Sequence, residues 1–133
     1  MRSLAREIVF KELFAKLFNP DDEEFFAVLL KDPNLNESDV EFAKDLLNHV
    51  NLGMDKYLSD LERLSIGYEL NRVFNADRCA IILGMAELEN MTDTPVAVVI
   101  DEAVKIVAKF SAEKSTDFVN GILAGYAKEV RNG

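Results

Sequence analysis

Tryptophan is absent, and the chain holds one cysteine, Cys79, and one histidine, His49. A single cysteine excludes an intrachain disulfide. Cys79 stands in the apolar run Cys79-Ala80-Ile81-Ile82-Leu83, where it reads as a small buried hydrophobe in a reduced, cytoplasmic setting. His49 has no second histidine and no cysteine or aspartate at a metal-ligand spacing, so no metal and no cofactor is expected. The pair Cys79 and His49 makes no convincing nucleophile–base couple. A phosphate-cradling glycine loop is also missing. Asp101 and Glu102 are neighbours on one helix and project about 100° apart, so they do not form an acid–base pair. No enzyme activity is expected. No apolar run approaches the roughly 20 residues that span a bilayer, and the N-terminal Met1–Glu7 segment lacks a signal-peptide core. With three prolines, six glycines and no strand-like alternation, sheet is not expected.

What is present favours helix. The chain has 133 residues, 49% hydrophobic and 29% charged, enough for one domain with a hydrophobic core. Leu, Ala, Glu and Lys dominate the periodic segments. The formal net charge of −9 argues against a generic nucleic-acid binder and fits solubility or a basic partner. An RNA site would have to be a local basic patch.

Ser3 to Phe18 reads as a first helix that is apolar nearly all round, so it is expected at the centre, touching both halves of the fold. Asn19-Pro20 ends it and opens the next element, with Pro20 at the first helical position and Asp21 to Glu24 in the first turn. Those four acids complement a helix dipole better than they make a metal site. Phe25, Phe26, Leu29 and Leu30 form a short buried edge. Ser38 and Glu41 read as a capping box for a helix running through Leu61, with Gly53 as a kink point. Residues 65–74 read as a linker between an N-terminal helical group, about 1–64, and a C-terminal group, about 70–131. A buried helix follows over Ala76–Glu89. Thr94 is the expected N-cap of the next, with Pro95 at its first position.

The stretch from Pro95 to Val130 carries the clearest pattern. Val96, Val99, Ile100, Ala103, Ile106, Val107 and Phe110 make one apolar stripe, and Val119, Ile122, Leu123, Tyr126 and Val130 make another. Joined by a short polar turn, they form a helical hairpin. Gly121 and Gly125 cost helix stability, and close packing of a neighbouring backbone is the simplest reason for them. Phe110 and Phe118 flank the turn with Lys109 and Lys114, while Arg2, Arg6 and Lys11 lie on the first helix. Aromatic rings beside cations can stack and neutralise single-stranded RNA. Taken alone, two phenylalanines at these positions read more readily as core.

The segment Val99-Ile100-Asp101-Glu102-Ala103-Val104-Lys105-Ile106-Val107-Ala108-Lys109-Phe110, followed by Phe118-Val119-Asn120-Gly121-Ile122-Leu123, closely resembles the C-terminal signature of the NusB transcription antitermination family. Leu70-Asn71-Arg72, Asp77-Arg78, Glu87-Leu88 and Ala5-Arg6-Glu7 with Leu13-Phe14 extend the likeness over nearly the whole chain, most specifically after about residue 70. The resemblance implies an all-α fold, a bundle of two packed three-helix groups. It implies binding of boxA RNA and pairing with the ribosomal protein NusE within an antitermination complex on RNA polymerase; homodimers occur in parts of the family. Carried over by position, the RNA-binding residues are Arg2, Arg6, Phe14, Phe110, Lys114 and Phe118. Asp77, with Arg78, resembles the region of the NusE contact. The chain departs from the family where Ser3 and Leu4 replace usual arginines, Ile82 replaces an arginine and Ala86 a tyrosine. Fewer phosphate contacts imply weaker RNA binding, and leave a protein-interaction adaptor on the same fold as the other reading. A related helical domain occurs on RNA cytosine methyltransferases, but 133 residues leave no room for the methyltransferase.

Overall fold

A computed structural model describes residues 1–65 and 73–131. Its six helices are α1 (Arg2–Lys16), α2 (Phe25–Leu29), α3 (Glu37–Leu64), α4 (Asn75–Asn90), α5 (Val96–Phe110) and α6 (Ser115–Val130). No strand occurs among the described residues. The expected linker segment Leu70-Asn71-Arg72 lies outside them.

The helix enclosed on every side is α4. From Ala76 to Leu88 every residue except Arg78 is buried, and α4 packs against α1, α3, α5 and α6. A helix apolar over its whole circumference has no solvent face to offer, so it becomes the axis of the bundle. The first helix, expected at the centre, does touch α2, α3, α4 and α5. Its outer end is exposed, however: Phe18, counted among its apolar residues, is 68% accessible.

Three helix starts differ from expectation. The capping box of α3 is Asn36 and Asp39, not Ser38 and Glu41. The Asn36 side chain accepts the Asp39 amide at 2.8 Å, and Asp39 Oδ2 accepts the Asn36 amide at 3.3 Å. Leu35 packs against the core just before the cap, so the helix can begin as soon as the chain leaves that contact. The acids at 21–24 precede α2 instead of filling its first turn. Asp22 Oδ1 accepts the amides of Glu24 at 2.9 Å and Phe25 at 3.2 Å, and helix starts only at Phe25. One residue separates expectation from structure at α5, whose N-cap is Pro95.

The glycines divide by environment. α3 runs unbroken through Gly53, where an added Cβ would lie 2.5 Å from the Tyr57 ring. At Gly84 it would lie 2.7 Å from Leu123 Cδ1, so α4 and α6 approach closely there. Among the described residues nothing outside the local helix backbone comes within 4 Å of that position at Gly121, and Gly125 meets only Leu64 Cδ2 at 3.9 Å. The backbone packing expected for this glycine pair is therefore not made among the described residues.

Polar groups tie the helices at three levels. Tyr57 and Tyr126 hydroxyls both donate to Glu89, at 3.1 and 3.2 Å, where Lys56 also pairs. Burial and the Glu89 charge raise both phenols, Tyr57 to about 12. Arg131 donates to the carbonyls of Leu88 at 2.6 Å, Thr94 at 2.7 Å and Met91 at 3.0 Å, closing the open end of α4. Arg63 makes a two-pronged contact with Glu129, both at 2.7 Å.

Candidate nucleic-acid interface

α1 and α5 run side by side in the same direction. Ser3 at the start of α1 donates to Glu102 midway along α5 at 2.8 Å, and Phe10 stacks on Phe110 at 5.2 Å at the end of α5. This brings the second half of α1, the end of α5, the α5–α6 turn and the start of α4 to one end of the bundle. Phenylalanine spacing of four residues then builds a ladder along α1. Phe10, Phe14 and Phe18 follow Phe110, with ring centroids 6.1 Å and 5.4 Å apart along α1. Phe110 is 39% exposed although it touches Phe10. The ring therefore belongs partly to the core and partly to the surface. Phe118 is half-buried and packs against the core.

Two lysines hang over the exposed ring. Lys109 Nζ lies 5.2 Å and Lys11 Nζ 5.9 Å from the Phe110 centroid. Both lysines pair with Glu7, at 2.8 Å and 3.4 Å. Lys114 is exposed in the turn just before α6. The turn itself is held from beneath, because Ser111 Oγ donates to Asp77 Oδ1 at 2.6 Å. Ser111 also leaves helical geometry, with φ −130° and ψ −158°, which ends α5.

The N-terminal arginines are committed elsewhere. Arg6, expected to face RNA, is 4% exposed. Its guanidinium grips Glu87 of α4 through two hydrogen bonds of 2.7 and 2.6 Å, with Glu102 at 4.0 Å. A buried carboxylate needs such a partner, and a planar two-pronged donor is the best match for it. Arg2 turns toward the start of α3. It donates to the Ser38 carbonyl at 2.8 Å and hydroxyl at 3.1 Å, lies 3.5 Å from Asp39, and covers the Phe42 ring at 4.5 Å. Of the six expected RNA residues, the structure gathers Phe14, Phe110, Lys114 and Phe118 at one end and draws Arg2 and Arg6 away.

The two expected partner residues also sit inward. Asp77 is 4% exposed and serves the Ser111 turn. Arg78 is half-buried and lines a mostly apolar cavity of about 450 Å³ between α1, α3 and α4. Glu12 lines the same cavity, and burial raises its carboxyl above the usual range despite Lys16 at 4.0 Å. Cys79 lines it too; burial pushes its thiol up to about 12, so it stays protonated and unreactive at neutral pH. Among the described residues no group of three or more His, Cys, Asp or Glu side chains gathers to hold a metal ion.

The NusB family model matches residues 3–128. The chain is 31% identical to the transcription antitermination protein NusB of Alkaliphilus oremlandii over 129 residues, which is 96% of this chain and 94% of that one. The fold superposes on T. maritima NusB with a TM-score of 0.88 and 30% identity, covering 97% of this chain and 92% of the other. A second match is a structure of the antitermination factors NusB and NusE in complex with dsRNA, with a TM-score of 0.84, 27% identity and 96% of each chain covered. The chain belongs to the NusB family.

The all-helical bundle implied by the NusB signature is the one observed. Glu7, Phe10 and Phe25 escaped the sequence reading of the surface. Glu7 carries a signal in retrospect, since it stands four residues before Lys11 on α1. Phe25 carries none, because only the return of α2 against α1 brings it near Phe14. No helix among the described residues is long and apolar enough to cross a membrane.

Proposed function

We propose that this chain is a transcription antitermination factor of the cytoplasm that binds boxA-type RNA together with the ribosomal protein NusE and acts on RNA polymerase. Its role is binding, not catalysis. The observation that carries the reading is the aromatic and basic end of the bundle. Phe14, Phe110, Phe118 and Lys114 lie there with Lys11 and Lys109, in a protein whose net charge is −9. The similarity to a NusB that was solved with NusE and RNA supports the same partners here. A net charge of −9 suits a basic protein partner.

Internal use of Arg2 and Arg6 favours a second reading, an adaptor that binds its protein partner while RNA binding has faded. Titration of labelled boxA RNA and of a scrambled sequence, with and without NusE at low salt, separates them. The first reading expects a preference for boxA that NusE strengthens. Equal weak binding of both RNAs, with NusE still bound, selects the adaptor.

A further inference from the structure

The cavity between α1, α3 and α4 measures about 450 Å³, inside the range of small-molecule clefts, roughly 300–1,000 Å³. Leu47, Met54, Cys79 and Ile82 give it apolar walls. It opens to solvent between α1 and α3, where Leu17 and Leu58 line it and are 49% and 37% exposed. Glu12 is set into this apolar lining and is 6% exposed. No described residue donates a hydrogen bond to its carboxyl. Lys16 stays 4.0 Å away, because its ammonium donates to the carbonyls of Pro20 and Asp22 beyond the end of α1. A desolvated carboxylate without a donor is costly, and burial raises its carboxyl above the usual range. We propose that this cavity binds a small neutral molecule with an apolar body and one N–H or O–H donor, whose hydrogen bond Glu12 accepts.

The charged groups on the lining decide the charge of the occupant. Glu12 stands there with Lys16 and Arg78, one anion with two cations. A cationic ligand would add a third positive charge. An anionic ligand would lie against a buried carboxylate. A neutral donor leaves the balance as it is and supplies the hydrogen bond that Glu12 lacks, and bonds to an ionised acceptor are among the stronger ones. The walls decide the rest of the molecule. Leucine and isoleucine offer dispersion contacts and no polar partner. Met54 and Cys79 add sulfur, and a thioether makes favourable contacts with the edge of an aromatic ring. Asn51, exposed at the rim, brings the one amide side chain on the lining. Selection therefore rests on size and on one buried acceptor. None of the aromatic and basic residues around Phe110 lines this cavity, so the site stands apart from the RNA-binding reading.

The test titrates the full chain with indole, a neutral ring system carrying one N–H, and with N-methylindole, which keeps the rings and lacks the donor. Binding is read from the methyl resonances of Met54 and Ile82. Indole should shift both, and N-methylindole should bind about tenfold or more weakly, the loss of one hydrogen bond to a charged acceptor. Glu12→Met removes the acceptor and should bind the two probes equally. The wild-type comparison stands by itself if that variant does not fold. Equal affinity of the wild type for both probes overturns the proposal, since Glu12 then selects nothing. Absence of shifts up to the solubility limit of indole, or shifts confined to methyl groups away from the cavity, overturns it as well. Loss of NusE binding in a folded Glu12→Met assigns the carboxyl to a protein partner and overturns the small-molecule site.

Discussion

Arg6 and Glu12 share a helix, and both are buried, but only Arg6 is fully answered by a partner. Arg6→Ala should cost about 3–5 kcal/mol in urea unfolding, because it strands Glu87 inside the protein. Replacing both Arg6 and Glu87 by methionine should recover most of that loss. Glu12 accepts no hydrogen bond, and its carboxyl titrates above the usual 4.5 when folded. A raised carboxyl costs nothing while protonated in both states; the cost builds as pH rises from its unfolded value to its folded value and is constant above that. Glu12→Gln should therefore raise the melting temperature at pH 7, with the gain shrinking toward zero near pH 4. An unchanged difference across that range would sink the assignment. The sequence placed Arg6 correctly on α1 but could not show its direction. Its partner lies 81 residues away, and a pattern of one helix says nothing about which distant acid must be neutralised.

At the scale of elements, periodicity was enough wherever a helix has one dry face. The α5 and α6 stripes reappear as the buried sets Val99, Ile100, Ala103, Ile106, Val107 and Val119, Ile122, Leu123, Tyr126. It failed at helix starts, where Asn36 and Ser38 compete as caps and tertiary packing of Leu35 decides. It also failed for the glycines. Gly121→Ala should stabilise the fold by about 0.5–1 kcal/mol, since α6 gains helix propensity and none of the described residues stands in the way. Gly84→Ala should destabilise it by about 1–3 kcal/mol, because Leu123 is fully buried and cannot move aside. Chemical unfolding of the two variants side by side gives opposite signs if these environments are right. Between α1 and α5, Glu7→Gln should tighten RNA binding severalfold by releasing Lys11 and Lys109. A fluorescence titration showing weaker binding would mean that Glu7 orients the lysines instead of masking them.

Over the whole molecule, the acidic balance and the position of α4 set the terms. A central helix buried on nearly all sides leaves function to the outer helices and their turns, and against a net charge of −9 any RNA site needs a local cluster of cations. The family signature made the fold legible from the sequence, since it spans the hairpin that packs against α4. It made the candidate surface only half legible. Phe110 and Lys114 flank a turn visible in the sequence, whereas the arginines carried over with them fold back onto Asp39 and Glu87. The central claim is that RNA meets the lysines near Phe110 and not Arg2 at the far end of α1. Salt dependence of boxA binding in the presence of NusE tests it most directly, comparing Arg2→Gln with the double variant Lys109→Gln, Lys114→Gln. The account expects the slope of log affinity against log salt to shrink by about 0.7 per lysine and to stay unchanged for Arg2→Gln; a slope that falls for Arg2→Gln and holds for the lysine variant would contradict it.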